Sequence, residues 1–323
     1  MFAWCVRVAA VAVVVAASAH IREGNAQSYP QKPVKVLVPA PPGSPTDLPA
    51  RIVSDGLSEL VGQRFIVENR PGAGGVVAGE AAARAAPDGY TLLFANSSVL
   101  AVNPALYPQM PYDTTAAFIP IGFASNSPQT FLVRPALPVK YISDLLAYAA
   151  ANPGKLNYAS SGTGTLPHLT FELFKMKSGL NAELIPFNGG APALTAVIAG
   201  EADLVIDLVT PRIKNGEVRA IAVTGATRHP DLPGVLTIAE SGFPSVTSTS
   251  WTGLVAPAGT PKEIVTLLNG KLNEVVASPT FRAKMTAVGL VPQGGTPEEF
   301  AAWAAQERER WAGVVRAAGV KPN

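Results

Sequence analysis

The chain has 323 residues, 48% of them hydrophobic and only 15% charged, which excludes a disordered, self-repelling chain. Its 25 basic and 23 acidic side chains leave a net charge of +2 and are scattered, so there is no basic stripe for nucleic acid or anionic lipid. One cysteine, Cys5, and three histidines, His20, His168 and His229, give neither a disulfide framework nor a metal cluster, and no cofactor is expected.

Arg7 precedes an uncharged run over residues 8–17. That run falls short of the roughly 20 residues a membrane helix needs, but it suits the core of a signal peptide. Residues 1–26 are predicted to be that peptide, with cleavage near Ala26; Ala17-Ser18-Ala19 offers a second cleavage site. The mature chain is expected to be exported to the periplasm, soluble and without cysteine. A length of this order predicts about two domains.

Val34-Lys35-Val36-Leu37-Val38 reads as a strand, followed by the turn-rich Pro39-Ala40-Pro41-Pro42-Gly43-Ser44-Pro45. Thr46 or Asp47 then caps a helix running through Arg51, Ile52 and Leu57. A second strand over 65–67, a glycine-rich loop over 69–75, an alanine-rich helix from 76 to about 86 and a third strand over 90–94 complete a βαβαβ unit with a parallel sheet. The rhythm restarts after Ser125-Asn126-Ser127-Pro128. Strands are expected near 130–133, 157–159, 183–185, 204–206 and 220–223. Helices follow Ser143, the loop 160–165, and the loop 188–192.

Two helices are expected at the end. Thr260-Pro261 opens one, with Ile264, Leu267, Leu268, Leu272 and Val275 on its apolar face. Thr296-Pro297-Glu298-Glu299 opens the other as a capping box, with Phe300, Trp303 and Trp311 as packing residues. Terminal helices need a sheet to lie on, and the first unit is short of cover. The chain is therefore expected to leave lobe 1 after residue 125, build lobe 2 over 126–248, and return, so that lobe 1 comprises 28–125 plus 249–323. Two crossings make a hinge with a cleft between the lobes.

Four loops lie after a strand and before a helix: 42–47, 71–75, 160–165 and 188–191. In open α/β sheets ligands bind at this edge, where glycine admits close backbone approach and the free N–H groups of the next helix face the ligand. This is anion-binding equipment. Val77 stands where the dinucleotide fingerprint needs its third glycine, and no phosphate-loop Gly-Lys-Ser/Thr occurs. The near lack of Lys and Arg in these loops favours a carboxylate over a phosphate-rich nucleotide. Micromolar affinity needs about −8 kcal/mol, within reach of several hydrogen bonds to charged groups at roughly 1.5–3 kcal/mol each. Arg51 and Arg70 read as surface or salt-bridged residues, and Trp251 as a packing residue. No Gly-x-Ser-x-Gly elbow presents a nucleophile, so Asp47, His168 and Ser161 do not make a credible triad and no enzyme is expected.

These motifs resemble the Bug family, the extracytoplasmic solute-binding receptors of tripartite tricarboxylate transporters. The resemblance rests on Val67-Glu68-Asn69-Arg70-Pro71-Gly72-Ala73-Gly74-Gly75, Pro87-Asp88-Gly89-Tyr90-Thr91-Leu92, and Tyr158-Ala159-Ser160-Ser161-Gly162-Thr163-Gly164-Thr165 with His168-Leu169. It continues in Phe187-Asn188-Gly189-Gly190, Ala239-Glu240-Ser241-Gly242 and Trp251-Thr252-Gly253-Leu254.

It implies an α/β, two-lobed type II periplasmic binding protein fold, each lobe a mainly parallel sheet flanked by helices, with two hinge crossings. It also implies a monomer that captures a mono-, di- or tricarboxylate, an acidic amino acid or an aromatic acid and delivers it to membrane permease subunits. The alternatives are a ligand-sensing receptor for a membrane kinase and an enzyme on the same fold. Expected ligand contacts are Ser44, Thr46, Asp47, Ala73, Gly74, Ser97, Ser161, Gly162, Thr163, Thr165, His168, Asn188, Gly189 and Asp207, none of them a metal site. Ala40 and Ser44 depart from the family's usual aromatic and glycine, Phe187-Asn188 from a commoner Tyr-Lys, and Thr114-Thr115-Ala116-Ala117 lacks a usual charge. These departures bear on which acid is bound.

Overall fold

The computed structural model describes residues 29–322. The predicted signal peptide over 1–26 lies outside the described residues. Strand β1 (Val34–Val38) exposes only Lys35, as a strand covered on both faces must, and it lies between parallel β2 (Phe65–Asn69) and β3 (Thr91–Asn96). Helices α1 (Asp47–Val61) and α2 (Val76–Ala83) make the crossovers. After β3 the chain forms a π-turn over Ser98–Val102 and the one-turn helix α3 (Asn103–Leu106), neither of which the sequence pattern announces.

The next strand, β4 (Phe118–Val133), is 16 residues long and joins the two halves of the molecule. The pattern predicted only its end, 130–133, because glycine, serine, asparagine and proline interrupt the apolar run before it. β4 pairs antiparallel with β9 (Thr249–Pro257) over Phe118 to Pro128, then with β7 (Leu204–Leu208) and β8 (Arg219–Val223) over Gln129 to Val133. Between these lie α4 (Ile142–Ala151), β5 (Asn157–Ser160), α5 (Leu166–Ser178), β6 (Glu183–Pro186), α6 (Gly190–Ala199) and the short α7 (Pro211–Lys214). The sheet order is β2-β1-β3-β9-β4-β7-β5-β6, with β8 also on β4.

The end of the chain holds three helices rather than the two expected: α8 (Lys262–Ala277), α9 (Pro279–Ala287) and α10 (Pro297–Ala318). Ser278 divides the first two, its hydroxyl accepting from the Phe281 amide ahead of a proline at the start of α9. The capping box forms as read, with the Glu299 amide donating to Thr296 Oγ1 and the Thr296 amide to Glu299 Oε2.

Alternation along the strands sets the cores. Val34, Val36, Val38, Leu92 and Phe94 face α1, α8 and α9, whereas Leu37, Leu93 and Ala95 face the opposite layer. That second core continues through Phe123, Trp251 and Phe300 to Phe131, Tyr158, Phe171 and Phe174 beneath β4, β5 and α5. Trp251 is fully buried edge-on to Phe300, a packing residue as expected. Helix α10 packs on both halves. Arg308 donates to the Leu100 carbonyl on one side, and Arg310, paired with buried Glu307, to the Ser245 and Thr247 carbonyls on the other.

Candidate functional site

The loops after β1, β2, β5 and β6 converge on one cleft of about 790 Å³. Each sits at the carboxyl end of its strand, because parallel pairing forces successive loops to the same edge. Of the residues expected from the sequence, the structure brings Ser44, Ala73, Gly74, Ser161, Gly162, Thr163, Thr165, Asn188 and Gly189 to the cleft wall. Thr46, Asp47, Ser97, His168 and Asp207 are not among the lining residues.

Two of those five brace a loop from behind. Asp47 is 1% exposed; it accepts from the Gly43 amide (2.8 Å), Arg51 Nε (2.8 Å) and Asn69 Nδ2 (2.7 Å). Burial alone would push its carboxyl up, but these hydrogen bonds outweigh it and hold the group below the usual carboxylate range. The carboxylate thus fixes the first loop from within and balances the N-terminus of α1. Arg51 and Arg70 are both salt-bridged, to Asp47 and Glu68. His168 is 5% exposed and its Nδ1 accepts from the Gly164 amide at 2.9 Å, with Nε2 3.8 Å from Glu172. Burial pushes its imidazole below the ordinary value, against the pull of Glu172. Neutral His168 is therefore the brace of the 160–165 loop.

The others lie close by. Thr46 Oγ1 accepts from Asn96 Nδ2, and Ser97 is buried one residue before the lining Ser98. Asp207, next to last in β7, has Oδ1 held by the Leu208 amide, and its Oδ2 lies 3.2 Å from where a Cβ on Gly190 would stand. Burial pushes its carboxyl up to about 6.

Sequence reasoning missed Ser98, Asn103, Leu106 and Tyr107, which follow β3 and line the cleft. They lie in the π-turn, the one-turn helix and, for Tyr107, the residue just after it, segments too short to show a period. Asn103 Nδ2 donates to the Gly74 carbonyl, and the Tyr107 hydroxyl stands near Gly74. Leu106 fills the space over Gly164 from the opposite half of the molecule. Gly164, at φ +74°, could carry no side chain there.

The chemistry of the wall is that of backbone amides. Those of Ala73 and Gly74 on one side, and of Ser161, Thr163, Asn188, Gly189, Gly190 and Ala191 on the other, have no acceptor among the described residues. Ala73 sits at φ +45°, in a region alanine seldom occupies, within a run of positive-φ glycines. Neither α5 nor α6 carries an acid in its first turn or a side-chain cap. Among the described residues, no carboxylate, amine, guanidinium or imidazole lines the cleft.

Two half-sheets joined by two long strands, with amide-rich loops facing each other across a neutral cleft, make the two-lobed architecture of periplasmic solute-binding proteins. The family model described as tripartite tricarboxylate transporter family receptor matches residues 49–320, and the chain belongs to that family. It is 35% identical over 317 residues to Protein BugT of Bordetella pertussis, covering 97% of each chain. Among solved structures it is similar to R. palustris Rpa4515 with adipate, at 36% identity and TM-score 0.84, covering 91% of this chain and all of that one. It is also similar to MatC (Rpa3494) from Rhodopseudomonas palustris with bound malate, at 32% identity and TM-score 0.79, covering 89% of this chain and all of that one. The family is one of ligand-binding receptors, and no helix among the described residues is long and apolar enough to cross a membrane.

Proposed function

We propose that the protein is a periplasmic receptor that closes two lobes on a small carboxylate and delivers it to the permease subunits of a tripartite tricarboxylate transporter. The observation that carries this reading is the set of unpartnered amides on both walls of a cleft with no charged side chain. Each amide is a donor already aimed and awaiting an acceptor, and a carboxylate supplies acceptors in several directions. Relatives with adipate and with malate bound support the ligand class, and the family supports the transporter as partner.

In this reading Ser44, Ala73, Gly74, Ser161, Gly162, Thr163, Thr165, Asn188 and Gly189 meet the ligand or its waters. Asp47 and His168 hold their loops in shape, while Thr46, Ser97 and Asp207 stand behind the wall. Lobe 1 comprises residues 28–125 and 249–323, and lobe 2 residues 126–248, with closure about the crossings. There Thr224 Oγ1 accepts from the Gln129 amide and donates to the Ser248 carbonyl, tying the two crossing segments together. The receptor works as a monomer, exported by the signal peptide predicted over residues 1–26.

The test is thermal denaturation of protein unfolded and refolded to strip prebound ligand, against a panel of mono-, di- and tricarboxylates, amino acids and aromatic acids. At least one acid at about 100 times its Kd raises stability by about 2.7 kcal/mol, which appears as a rise in Tm. No shift with any acid overturns the reading.

A further inference from the structure

We infer that the cleft reads a hydroxyl group carried beside the ligand's carboxylate, and that Asn103 together with Tyr107 reads it. The inference rests on the carboxylate-binding reading above and adds a specificity position to it. The free amides of the wall only donate, and its Ser, Thr and Tyr hydroxyls can turn to either role. Asn103 differs from both. Its side chain is 1% exposed, and its Nδ2 donates to the Gly74 carbonyl at 3.0 Å. That bond fixes which end of the carboxamide is which, so Oδ1 is an acceptor. Asn103 lines the cleft, and no donor among the described residues reaches this Oδ1. An acceptor on a buried side chain is costly to leave unpaired, so it calls for a partner from the cleft.

The surroundings suit a group that both donates and accepts. Asn103 Oδ1 and the Tyr107 hydroxyl each lie 3.3 Å from the point where a Cβ on Gly74 would stand. Gly74, at φ +62°, puts no side chain there. Burial pushes the Tyr107 phenol above its ordinary value, so it stays a hydroxyl. A ligand hydroxyl donates to Asn103 and accepts from Tyr107, whereas a carboxylate oxygen would face Oδ1 acceptor to acceptor. An ammonium could donate, but among the described residues no carboxylate lines the cleft to balance it. The ligand's carboxylate goes to free amides, and those of Ala73 and Gly74 belong to the same turn. The hydroxyl therefore sits close to the carboxylate, as in a 2-hydroxy acid. Further carboxylates keep the amides of lobe 2, so the pair sets no limit on their number.

The experiment is calorimetric titration of the refolded full mature chain at pH 8, where every acid is ionised, with three matched sets. They are malate, succinate, 2-methoxysuccinate and aspartate; lactate, propionate, 2-methoxypropionate and alanine; mandelate, phenylacetate, α-methoxyphenylacetate and phenylglycine. In the set that binds most tightly, the hydroxy acid binds at least about tenfold more tightly than its unsubstituted, methoxy and amino counterparts. Asn103→Ala brings the ratio of hydroxy to unsubstituted acid below about threefold, and a ratio cancels any general loss of affinity from a shifted loop. Tyr107→Phe, which keeps the acceptor, lowers the ratio by a smaller factor. A smaller wild-type preference, a methoxy acid as tight as the hydroxy acid, or an amino acid tighter than it overturns the inference. So does an unchanged ratio in either variant. Should a variant not fold, the methoxy comparison in the wild type decides. All of these outcomes leave carboxylate binding intact. Failure of every acid to bind removes the underlying reading and this inference with it.

Discussion

Each lobe brings a glycine-rich loop and a following helix to the cleft, and the two use this device differently. In lobe 1 the loop ahead of α1 already holds an anion of its own, since Asp47 takes the Gly43 amide, Arg51 and Asn69. In lobe 2 the loops ahead of α5 and α6 keep the amides of Ser161, Thr163 and Asn188 to Ala191 without acceptors, and the first of these loops is braced by the neutral ring of His168. The same sequence cue therefore covers a loop that is internally satisfied and loops that await a partner. What separates them is the first turn of the helix: an acid at Asp47, none in α5 or α6.

The largest effect expected from this difference is on stability. Asp47→Ala strands the Gly43 amide and leaves one N–H of Asn69 Nδ2 unpaired while the other keeps the Ala40 carbonyl, and costs about 2–3 kcal/mol, because loss of a buried hydrogen-bonded carboxylate leaves its donors without an acceptor. Arg51 adds little, being about half exposed. A fall in the urea midpoint with an unchanged slope is the expected result. A variant as stable as the wild type would show that the loop does not depend on its internal anion. Because the folded carboxyl lies below its unfolded value, this contribution is present at neutral pH and is lost as pH falls below the ordinary Asp range near 4.

How much of this could be read from residues alone follows from what each signal encodes. Val34–Val38 announces itself because β-branched residues run uninterrupted between turn residues, and the Thr296 capping box because its two partners lie three apart. The 16-residue β4 does not, since Gly122, Asn126, Ser127 and Pro128 look like a loop until β9 is placed beside them. The break between α8 and α9 rests on Ser278-Pro279 inside an apparently continuous helical pattern. At the site, the strand-to-helix loops picked out in the sequence lie together on the cleft wall, because topology fixes which edge they share. Which side chains within them face the cleft was not legible. Asp47 and His168 are polar residues beside glycine loops, as a ligand contact would be, and only packing shows that they turn inward. Leu106 and Tyr107 carry no polar signal and enter through contact with Gly164 and Gly74.

The second effect separates the braces. His168→Ala removes the acceptor of the Gly164 amide and leaves a space in the core of lobe 2, costing about 2 kcal/mol. It also loosens the 160–165 loop, so ligand affinity falls by about tenfold, a loss worth roughly 1.4 kcal/mol. The wild type shows part of this in acid. A protonated ring cannot accept from Gly164, and the folded value lies below the unfolded one near 6.5, so the stabilisation holds above that pH and is lost as pH falls. Glu172 and Lys175 are the charged groups that face the ring, and they act in opposite directions. Affinity measured from pH 7.5 to 5 should decline in the wild type and stay flat in His168→Ala. A parallel decline in both would take the histidine out of the account.

The smallest effect concerns Asp207, where lobe 2 carries an acid that its own loop does not satisfy. Its carboxyl is raised from the usual range to about 6, with burial as the main cause and the Leu208 amide as partial relief. An acid whose folded value is raised binds more protons folded than unfolded between about pH 4 and 6, so stability falls as pH climbs through that window. A shift of this size corresponds at most to about 3 kcal/mol, and the partial exposure of the side chain brings the expected figure to about 1–2 kcal/mol. Asp207→Asn keeps the shape without the charge. It should be more stable than the wild type at pH 8 by that amount, equal to it near pH 4, and should bind an acid more tightly at pH 8, because the end of α6 no longer has a negative charge behind it. Urea titrations of both proteins at the two pH values check the first pair of outcomes. If the variant were less stable at pH 8, the carboxylate would have to hold a partner that stabilises it, and the α6 end would no longer be the weakened anion site that sets lobe 2 apart.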